Sequence, residues 1–228
     1  MGRLEDTFAR CRAEGRAAFV SYVCAGDPDA DTSAEILLAL AAHGADILEV
    51  GVPFSDPLAD GVTNQLAAQR ALEAGMTHEG LLAVLRRVRA GTDKPLVLYT
   101  YYNLLFTRGV DASCRAVREA GADALLTLDC PPEEAGELLA ACKAHGLQAI
   151  FIIAPTTPPA RIAAIAKVAS GFIYYVSRAG VTGERKDLAG NLAEAVAEIR
   201  RHTSLPICVG FGISSPEQVA AVAKVAEG

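Results

Sequence analysis

The sequence lacks the features that point to a membrane, a nucleic acid or a metal. It contains no tryptophan, only two methionines and four histidines, and no apolar run long enough to span a bilayer. Its most apolar stretch, residues 36–50, is broken by a histidine, a glycine and an aspartate. The formal charge of −6 comes without a basic stripe, so nucleic acid is a poor candidate partner.

The number and positions of the cysteines, histidines and lysines argue against metal binding and imine formation. None of the six cysteines forms a C-x-x-C pair, and we interpret all six as small buried hydrophobic residues. No two histidines have the spacing of metal ligands, so we predict no metal site. Only Lys186 falls in a strand-to-helix loop, which disfavours imine chemistry. The charged start of the sequence, without an apolar signal-peptide core, predicts a cytoplasmic location.

What the sequence does contain is a regular alternation of short apolar runs and longer helical patterns. Near-continuous apolar strands alternating with helices predict a parallel sheet covered by helices. The repeat of roughly 25–30 residues is the period of a (βα) barrel. The predicted strands are 18–23, 47–50, 95–101, 124–128, 148–153, 172–176 and 206–209. The predicted helices are 4–14, 31–42, 63–89 with a break near Gly75, 110–120, 132–145, 158–169, 192–202 and 216 onward, the last opened by a capping box at Ser215 and Gln218.

These elements predict an α/β fold, a (βα)8 TIM barrel with an extra N-terminal helix, but only seven strand–helix units can be counted. We expect one barrel domain over residues 1–228 that lacks the eighth unit. A sheet of seven strands would leave two edge strands facing each other across a gap.

Carboxylates and tyrosines remain at the carboxyl ends of the predicted strands, where such barrels have their active sites. Glu49 lies within an apolar strand, and burying a carboxylate is costly unless the group is paired or used. The loop after this strand carries Asp56 and Asp60. Carboxylates and phenols suit proton transfer to and from a neutral organic substrate. The other polar residues near these strand ends are Tyr22, Tyr99, Tyr101, Tyr102, Asn103, Asp129, Tyr174 and Tyr175.

Each of these residues also has a purely structural alternative. Glu49 could be a structural acid paired with a buried tyrosine. Asp56 and Asp60 precede a proline and a glycine, as turn residues do. The tyrosines, taken one at a time, are more often core residues than catalysts.

Two glycine-rich loops, residues 177–187 and 210–216, follow the last two predicted strands. Glycines let backbone N–H groups approach an anion, and a helix N-terminus favours negative charge. Phosphate sites of (βα) barrels often lie at this end of the sheet. The alternative is a pair of tight turns, and the first loop is long and polar enough to act as a lid.

From about Phe19 to its last residue the sequence resembles the alpha subunit of tryptophan synthase. The most specific motif is LEVGVPFSDPLADG, which carries Glu49 and Asp60. The other motifs, in chain order, are AGDPD, DCPPEEA, APTTPPARI, SRAGVTG and VGFGISSPEQV.

The resemblance implies a lyase that cleaves indole-3-glycerol phosphate to indole and glyceraldehyde 3-phosphate without metal or imine. It implies that Glu49 is the acid that protonates the indole ring and then the base for the glycerol hydroxyl. Asp60 would accept or stabilise the proton on the indole nitrogen, and Tyr174 would help to position Glu49 and the substrate. The implied substrate-binding residues are Tyr22, Tyr101, Asp129 and Thr182 around the indole pocket or its loops, Gly183, Gly212, Ser214 and Ser215 in part of the phosphate cradle, and Gly210.

The resemblance also implies a partner, a PLP-dependent beta chain in an assembly of two alpha and two beta chains. Indole would pass to it through a tunnel, and the contact would activate the alpha chain. PLP would belong to the partner, so no cofactor is expected in this chain. The coupling would depend on the loop of residues 53–60, with Pro53 and Asp56, and on the lid near Thr182.

The sequence departs from the family pattern at several places. The family reads G-P-T-I-Q where this chain has Gly-Val62-Thr-Asn64-Gln, and we expect looser loop preorganisation and partner coupling. Ala179 and Cys130 replace a common serine and a common aliphatic residue. The family continues with an eighth strand, a phosphate turn and final helices. Our hypothesis is that a tail is omitted here and that a longer chain would bind substrate more tightly.

Two alternatives to a partner-dependent lyase stay open. The first is a stand-alone indole-glycerol-phosphate lyase that is active without a beta chain. The second is a non-catalytic subunit that only activates a beta partner. The altered loop and the absent eighth unit permit this second alternative, but intact Glu49 and Asp60 argue against it.

Overall fold

In a computed structural model the chain forms a seven-stranded parallel sheet with helices packed on its outer side. The structure describes residues 2–176, 189–210, 213 and 215–228. The strands follow one another in sequence order, β1 to β7, and every neighbouring pair is parallel. This order confirms the predicted sheet of seven strand–helix units.

The strands are β1 (Val20–Cys24), β2 (Ile47–Gly51), β3 (Leu96–Thr100), β4 (Ala124–Thr127), β5 (Gln148–Ile153), β6 (Ile173–Val176) and β7 (Ile207–Gly210). The helices are α1 (Arg3–Ala13), α2 (Ala30–Ala42), α3 (Val62–Glu73), α4 (His78–Gly91), α5 (Tyr102–Phe106), α6 (Val110–Glu119), α7 (Gly136–His145), α8 (Pro159–Val168), α9 (Ala189–Arg200) and α10 (Pro216–Ala223). All seven strands were predicted within two residues at each end. The predicted break near Gly75 is confirmed, since α3 ends before this residue and α4 begins after it.

Two helices differ from the prediction for local reasons. Helix α5 was not predicted, because its first amide, that of Tyr102, is held by the Asp129 carboxylate at 2.6 Å, a contact between distant residues. Helix α7 begins four residues later than predicted. The prolines at 131 and 132 lack amide hydrogens, and a turn with a bond from the Glu134 amide to the Pro131 carbonyl precedes the helix.

The interior of the barrel is filled by apolar side chains that alternate with outward-facing ones along each strand. Val97 points inward, whereas its neighbours Leu96 and Leu98 pack in the layer between sheet and helices. Helix α1 closes the amino-terminal end of the barrel, where the rings of Phe8 and Phe172 meet edge to face with centroids 5.9 Å apart. Replacing such a buried phenylalanine by alanine costs about 3–5 kcal/mol, so this closure is a major part of the core.

Two buried aspartates at the amino-terminal end of the barrel are held by arginines. Asp46 accepts bonds of 2.6 and 2.9 Å from Arg16 and one of 3.0 Å from the Phe19 amide. Asp123 accepts a 2.8 Å bond from Arg89. Burial alone would raise the pKa of Asp46, but the bonds from Arg16 and the Phe19 amide outweigh it and lower the pKa to about 2. Both acids are therefore structural.

The two edges of the sheet are bridged by the last residues of the chain. The Ala18 amide donates to the Glu227 carbonyl at 2.7 Å, and the Val209 amide donates to the Gly228 carbonyl at 3.0 Å. The Glu227 amide donates to the Ile207 carbonyl at 3.0 Å. These bonds close the amino-terminal side of the predicted gap between the edge strands.

Three smaller features complete the fold. Helix α10 opens with the predicted capping box, in which Ser215 and Gln218 exchange bonds of 3.3 and 3.2 Å. All six cysteines are free and buried, as predicted. Within the residues that the structure describes, no helix is long and apolar enough to cross a membrane.

Candidate active site

A cluster of carboxylates and phenols occupies the carboxyl-terminal end of the barrel interior. Glu49 lies on β2, between Leu48 and Val50, which pack against the helices, so its own side chain points into the barrel. On the neighbouring strand Tyr22 is its register partner. Sheet register therefore brings an acid and a phenol from two strands to one level of the barrel.

The Glu49 carboxyl is buried, and in the part of the chain that the structure describes it forms no salt bridge. The residue is 3% exposed, and its Oε1 atom has no hydrogen-bond partner among the described residues. Burial first, and then the nearby charge of Asp60, raise the pKa of Glu49 to about 8. The side chain is therefore mostly protonated at neutral pH and is suited to act as a general acid.

Asp60 is a buried acceptor that is held by two phenols. The Tyr99 hydroxyl donates to Oδ1 at 2.8 Å, and the Tyr101 hydroxyl donates to Oδ2 at 2.7 Å. The Asn64 amide nitrogen lies 3.4 Å from Oδ1. Asn64, which departs from the family pattern, thus contacts the carboxylate from the first turn of α3.

Two glycines give the phenols of the site room to lie against the backbone. A Cβ atom at Gly51 would stand 2.3 Å from the hydroxyl oxygen of Tyr22. A Cβ atom at Gly210 would stand 1.9 Å from that of Tyr174. Both distances are far below van der Waals contact, so these positions require glycine for the observed phenol placement.

A cavity of about 520 Å³ connects Glu49 to the opening between the edges of the sheet. Tyr22, Tyr174 and Gly210 line its upper part beside Glu49, and Val222 of α10 lies farther out. The volume is in the range of pockets that hold small organic molecules. Another cavity, of about 380 Å³, lies on the outer side of β2 and β3 and includes neither carboxylate.

The remaining predicted residues have mixed placements. Asp129 holds the first amide of α5, and Asp56 is exposed and accepts a 2.6 Å bond from Ser55. Pro53 is buried at the start of its loop. Ser215 caps α10. The residues Thr182, Gly183, Gly212 and Ser214 lie outside the part of the chain that the structure describes.

Sequence reasoning gave no role to Tyr99, although a signal was present. Tyr99 and Tyr101 are two residues apart, and residues at that spacing in an extended segment share a face. Since the barrel interior lies on that face, both phenols could have been placed beside the acidic loop. Gly51 was missed because its role depends on a side chain of another strand.

In the described part of the chain no group of three histidine, cysteine, aspartate or glutamate side chains has the arrangement of a metal site. The site consists of one acid of raised pKa that lines the cavity, and a nearby carboxylate that is held by phenols and is not itself among the residues lining that cavity. Such a set can donate a proton to a neutral substrate and stabilise a positive charge that develops on it.

Comparisons of the sequence with known proteins all indicate the same family. The model of the tryptophan synthase alpha chain family matches residues 8–228. The alpha chain of Opitutus terrae is 60% identical over 228 residues, which are all of this chain and 86% of that protein. The alpha chain of Chloroflexus aurantiacus is 49% identical over 229 aligned positions, which cover all of this chain and 86% of that protein.

Solved structures give the same result. A tryptophan synthase structure from Mycobacterium tuberculosis superposes with a TM-score of 0.93 at 38% identity, over the whole of this chain and 87% of that one. The alpha subunit from Legionella pneumophila superposes with a TM-score of 0.89 at 35% identity, over the whole of this chain and 85% of that one.

Proposed function

The chain belongs to the tryptophan synthase alpha chain family, and from this premise we propose how its residues carry the lyase reaction of that family. The family cleaves indole-3-glycerol phosphate to indole and glyceraldehyde 3-phosphate in tryptophan biosynthesis. The single observation that supports the proposal most is the buried carboxyl of Glu49 on the wall of the cavity, with an Oε1 atom that has no hydrogen-bond partner among the described residues.

In the first step protonated Glu49 donates its proton to C3 of the indole ring. The carbon–carbon bond to the glycerol chain cannot break directly, because C3 would leave as a poor carbanion. Protonation converts the ring to a cation with positive charge on the nitrogen. The Asp60 carboxylate accepts a hydrogen bond from this N–H and stabilises the charge.

In the second step the Glu49 carboxylate removes the proton from the glycerol hydroxyl next to the ring. The C–O bond becomes a carbonyl, the bond to C3 breaks, and its electron pair returns to the ring. Indole and the aldehyde leave, and Glu49 is protonated again. No oxidant, water or net proton is consumed, so one acid of pKa about 8 suffices for both steps.

The phenols and glycines of the site would position the substrate. Tyr22 and Tyr174 line the cavity on either side of Glu49, where they bound the space for the indole and its side chain. The phosphate would lie toward the amino-terminal end of α10, which begins at Pro216. We retain Thr182, Gly183, Gly212 and Ser214 as proposed contacts from the sequence alone. Tyr101, which binds Asp60, and Asp129, which holds the first amide of α5, stay proposed residues of the indole pocket or its loops.

We also propose that this chain works with a PLP-dependent beta chain, in an assembly of two alpha and two beta chains. The face beside the acidic loop exposes large apolar side chains that a partner would cover. Leu58 is 89% exposed, Val62 is 62% exposed and Phe106 is 60% exposed. Tyr101 joins this face to the site, because its hydroxyl binds both Asp60 and the Ala59 amide. A cytoplasmic location stays a prediction.

The proposed activity is tested by indole release from indole-3-glycerol phosphate, measured with the chain alone and with a beta chain added. A slow basal rate that the beta chain raises supports the proposal. Full activity of the chain alone would favour the stand-alone lyase. No indole under either condition, with stimulation of the beta chain intact, would favour the non-catalytic subunit.

A further inference from the structure

Tyr99 is bound to the acidic loop through its hydroxyl, which donates a hydrogen bond to Asp60. It is 4% exposed, and in the sheet register it lies opposite Gly51 on β2. Its ring packs edge to face against that of Tyr22, with centroids 5.1 Å apart. A phenol that is buried and packed in this way has one orientation available, and in that orientation it meets Oδ1 of Asp60.

The two phenols on Asp60 have different partners. The Tyr101 hydroxyl donates to Oδ2 and also accepts a 3.0 Å bond from the Ala59 amide, so it fixes the backbone of the loop as well. In the described part of the chain the Tyr99 hydroxyl has only the Asp60 carboxylate as hydrogen-bond partner. Removal of the Tyr99 hydroxyl would therefore free the carboxylate to rotate while the loop stays in place.

Each carboxylate oxygen can accept two hydrogen bonds. One acceptor position on each oxygen of Asp60 is occupied by a phenol, and the Asn64 amide lies near Oδ1. The directions left for a ligand are therefore set by the phenols. Burial and Asp60 raise the pKa of Tyr99 far above its usual value, so the phenol remains a hydrogen-bond donor throughout the working pH range.

We propose that Tyr99 is a positioning residue that sets the orientation of the Asp60 carboxylate toward the N–H group of the indole ring. This inference rests on the proposed function, since it names the substrate atom that the held carboxylate meets. Its effect should be greatest in the transition state, in which the ring nitrogen carries positive charge, and smaller in the ground state.

The first test measures kcat and KM for indole release by Tyr99→Phe in the presence of the beta chain. We expect kcat to fall about tenfold, the size of a lost hydrogen bond to a charged group, with a small change in KM. Tyr175→Phe is the matched control, because Tyr175 is buried in the outer layer and faces the helices. A Tyr99→Phe kcat equal to that of Tyr175→Phe would overturn the inference.

The second test separates positioning from a general structural role. The probes are 3-(indol-3-yl)propyl phosphate, which cannot be cleaved, and the same compound methylated on the ring nitrogen. Tyr99→Phe should weaken binding of the N–H compound slightly, in line with the small change in KM, and leave binding of the N-methyl compound unchanged. Equal weakening for both compounds would show that the hydroxyl only maintains the shape of the pocket.

The two proposals fail in different ways. A parent chain that releases no indole with its partner would defeat the proposed function, while the binding comparison would still test Tyr99. An active parent whose Tyr99→Phe variant keeps both its rate and its affinity for the N–H compound would defeat only the positioning role.

Discussion

Glu49 and Tyr22 are register partners on β2 and β1, and both line the same cavity. The acid therefore lies beside a phenol, whereas the arginines that neutralise Asp46 and Asp123 lie at the opposite end of the barrel. The buried acids thus differ in their partners. Asp46 and Asp123 are paired with arginines, Asp60 accepts hydrogen bonds from two phenols, and Oε1 of Glu49 has no hydrogen-bond partner among the described residues.

The first prediction concerns the pH dependence of the rate. Only protonated Glu49 can begin the reaction, and its pKa in the folded chain is about 8. We expect kcat/KM to be level below this pH and to fall by about tenfold per unit above it. Initial rates of indole release from pH 6 to 10 measure this, with thermal unfolding at each pH as the control. A rate that rises between pH 7 and 9 would show that the free enzyme requires a base instead.

The second prediction concerns stability. The folded pKa of Glu49, about 8, is raised above the usual value of 4.5, so between these values the folded chain binds more protons than the unfolded chain. The parent should therefore lose stability as pH rises from 5 to 8. Glu49→Gln has no ionisable group at this position, so it should not show this loss of stability. We expect the midpoint of thermal unfolding of Glu49→Gln to rise relative to that of the parent as the pH increases from 5 to 8.

Asp46→Asn is the matched control for this stability measurement. The folded pKa of Asp46 is about 2 and its usual value is 3.8, so its stabilisation is complete above that value and is lost as pH falls through 2. Asp46→Asn should be less stable than the parent by a constant amount from pH 5 to 8. If Glu49→Gln also showed a constant difference, the raised pKa of Glu49 would be wrong.

The third prediction concerns the glycine under Tyr174. Gly210→Ala would place a methyl group 1.9 Å from the Tyr174 hydroxyl oxygen, so the phenol or the strand must move. We expect a loss of about 1–3 kcal/mol in stability from overpacking and a lower kcat because the phenol no longer bounds the cavity. Chemical denaturation and indole release measure the two effects.

Gly136→Ala is the control for Gly210→Ala. A Cβ atom at Gly136, in helix α7, meets nothing within 4 Å. This variant should be equal to the parent or more stable by about 0.5–1 kcal/mol, because alanine is the better helix former. Equal behaviour of the two alanine variants would show that Tyr174 tolerates a side chain at position 210.

The fourth prediction concerns the partner surface. Phe106 ends α5 and is 60% exposed, so Phe106→Ser should leave the midpoint of thermal unfolding of the free chain nearly unchanged. It should weaken binding of the beta chain about tenfold or more, as expected for a large apolar residue at an interface. Isothermal titration with a beta chain measures the affinity. Ile36→Ser, on α2, is the matched exposed-apolar control, and equal affinities of the two variants would place the interface elsewhere.

The fold was largely predictable from the sequence, because the spacing of apolar runs and the glycines that end helices are local signals. Seven strands and the break near Gly75 follow from apolar runs and a single glycine. Helix α5 could not be found in this way, since its start depends on Asp129, a residue 27 positions away. The bridge of Glu227 and Gly228 between the sheet edges likewise depends on the three-dimensional closure of the barrel.

The candidate site was only partly predictable. The position of Glu49 in an apolar strand showed that a buried acid needed an explanation. That Asp60 is held by Tyr99 and Tyr101 could not be inferred from a loop residue before a glycine, which is equally typical of an exposed turn. The raised pKa of Glu49 likewise depends on its burial and on the nearby charge of Asp60, which no local pattern reports.

The most direct test of the account is the single-turnover rate of indole release by Glu49→Gln at saturating substrate, with the beta chain present. The amide keeps the size of the side chain but donates no proton to carbon. We expect the rate to fall at least about 100-fold, as is typical on removal of a positioned acid–base group, with unchanged affinity for the non-cleavable phosphate compound. A rate within about threefold of the parent would contradict the role of Glu49 and with it the proposed mechanism.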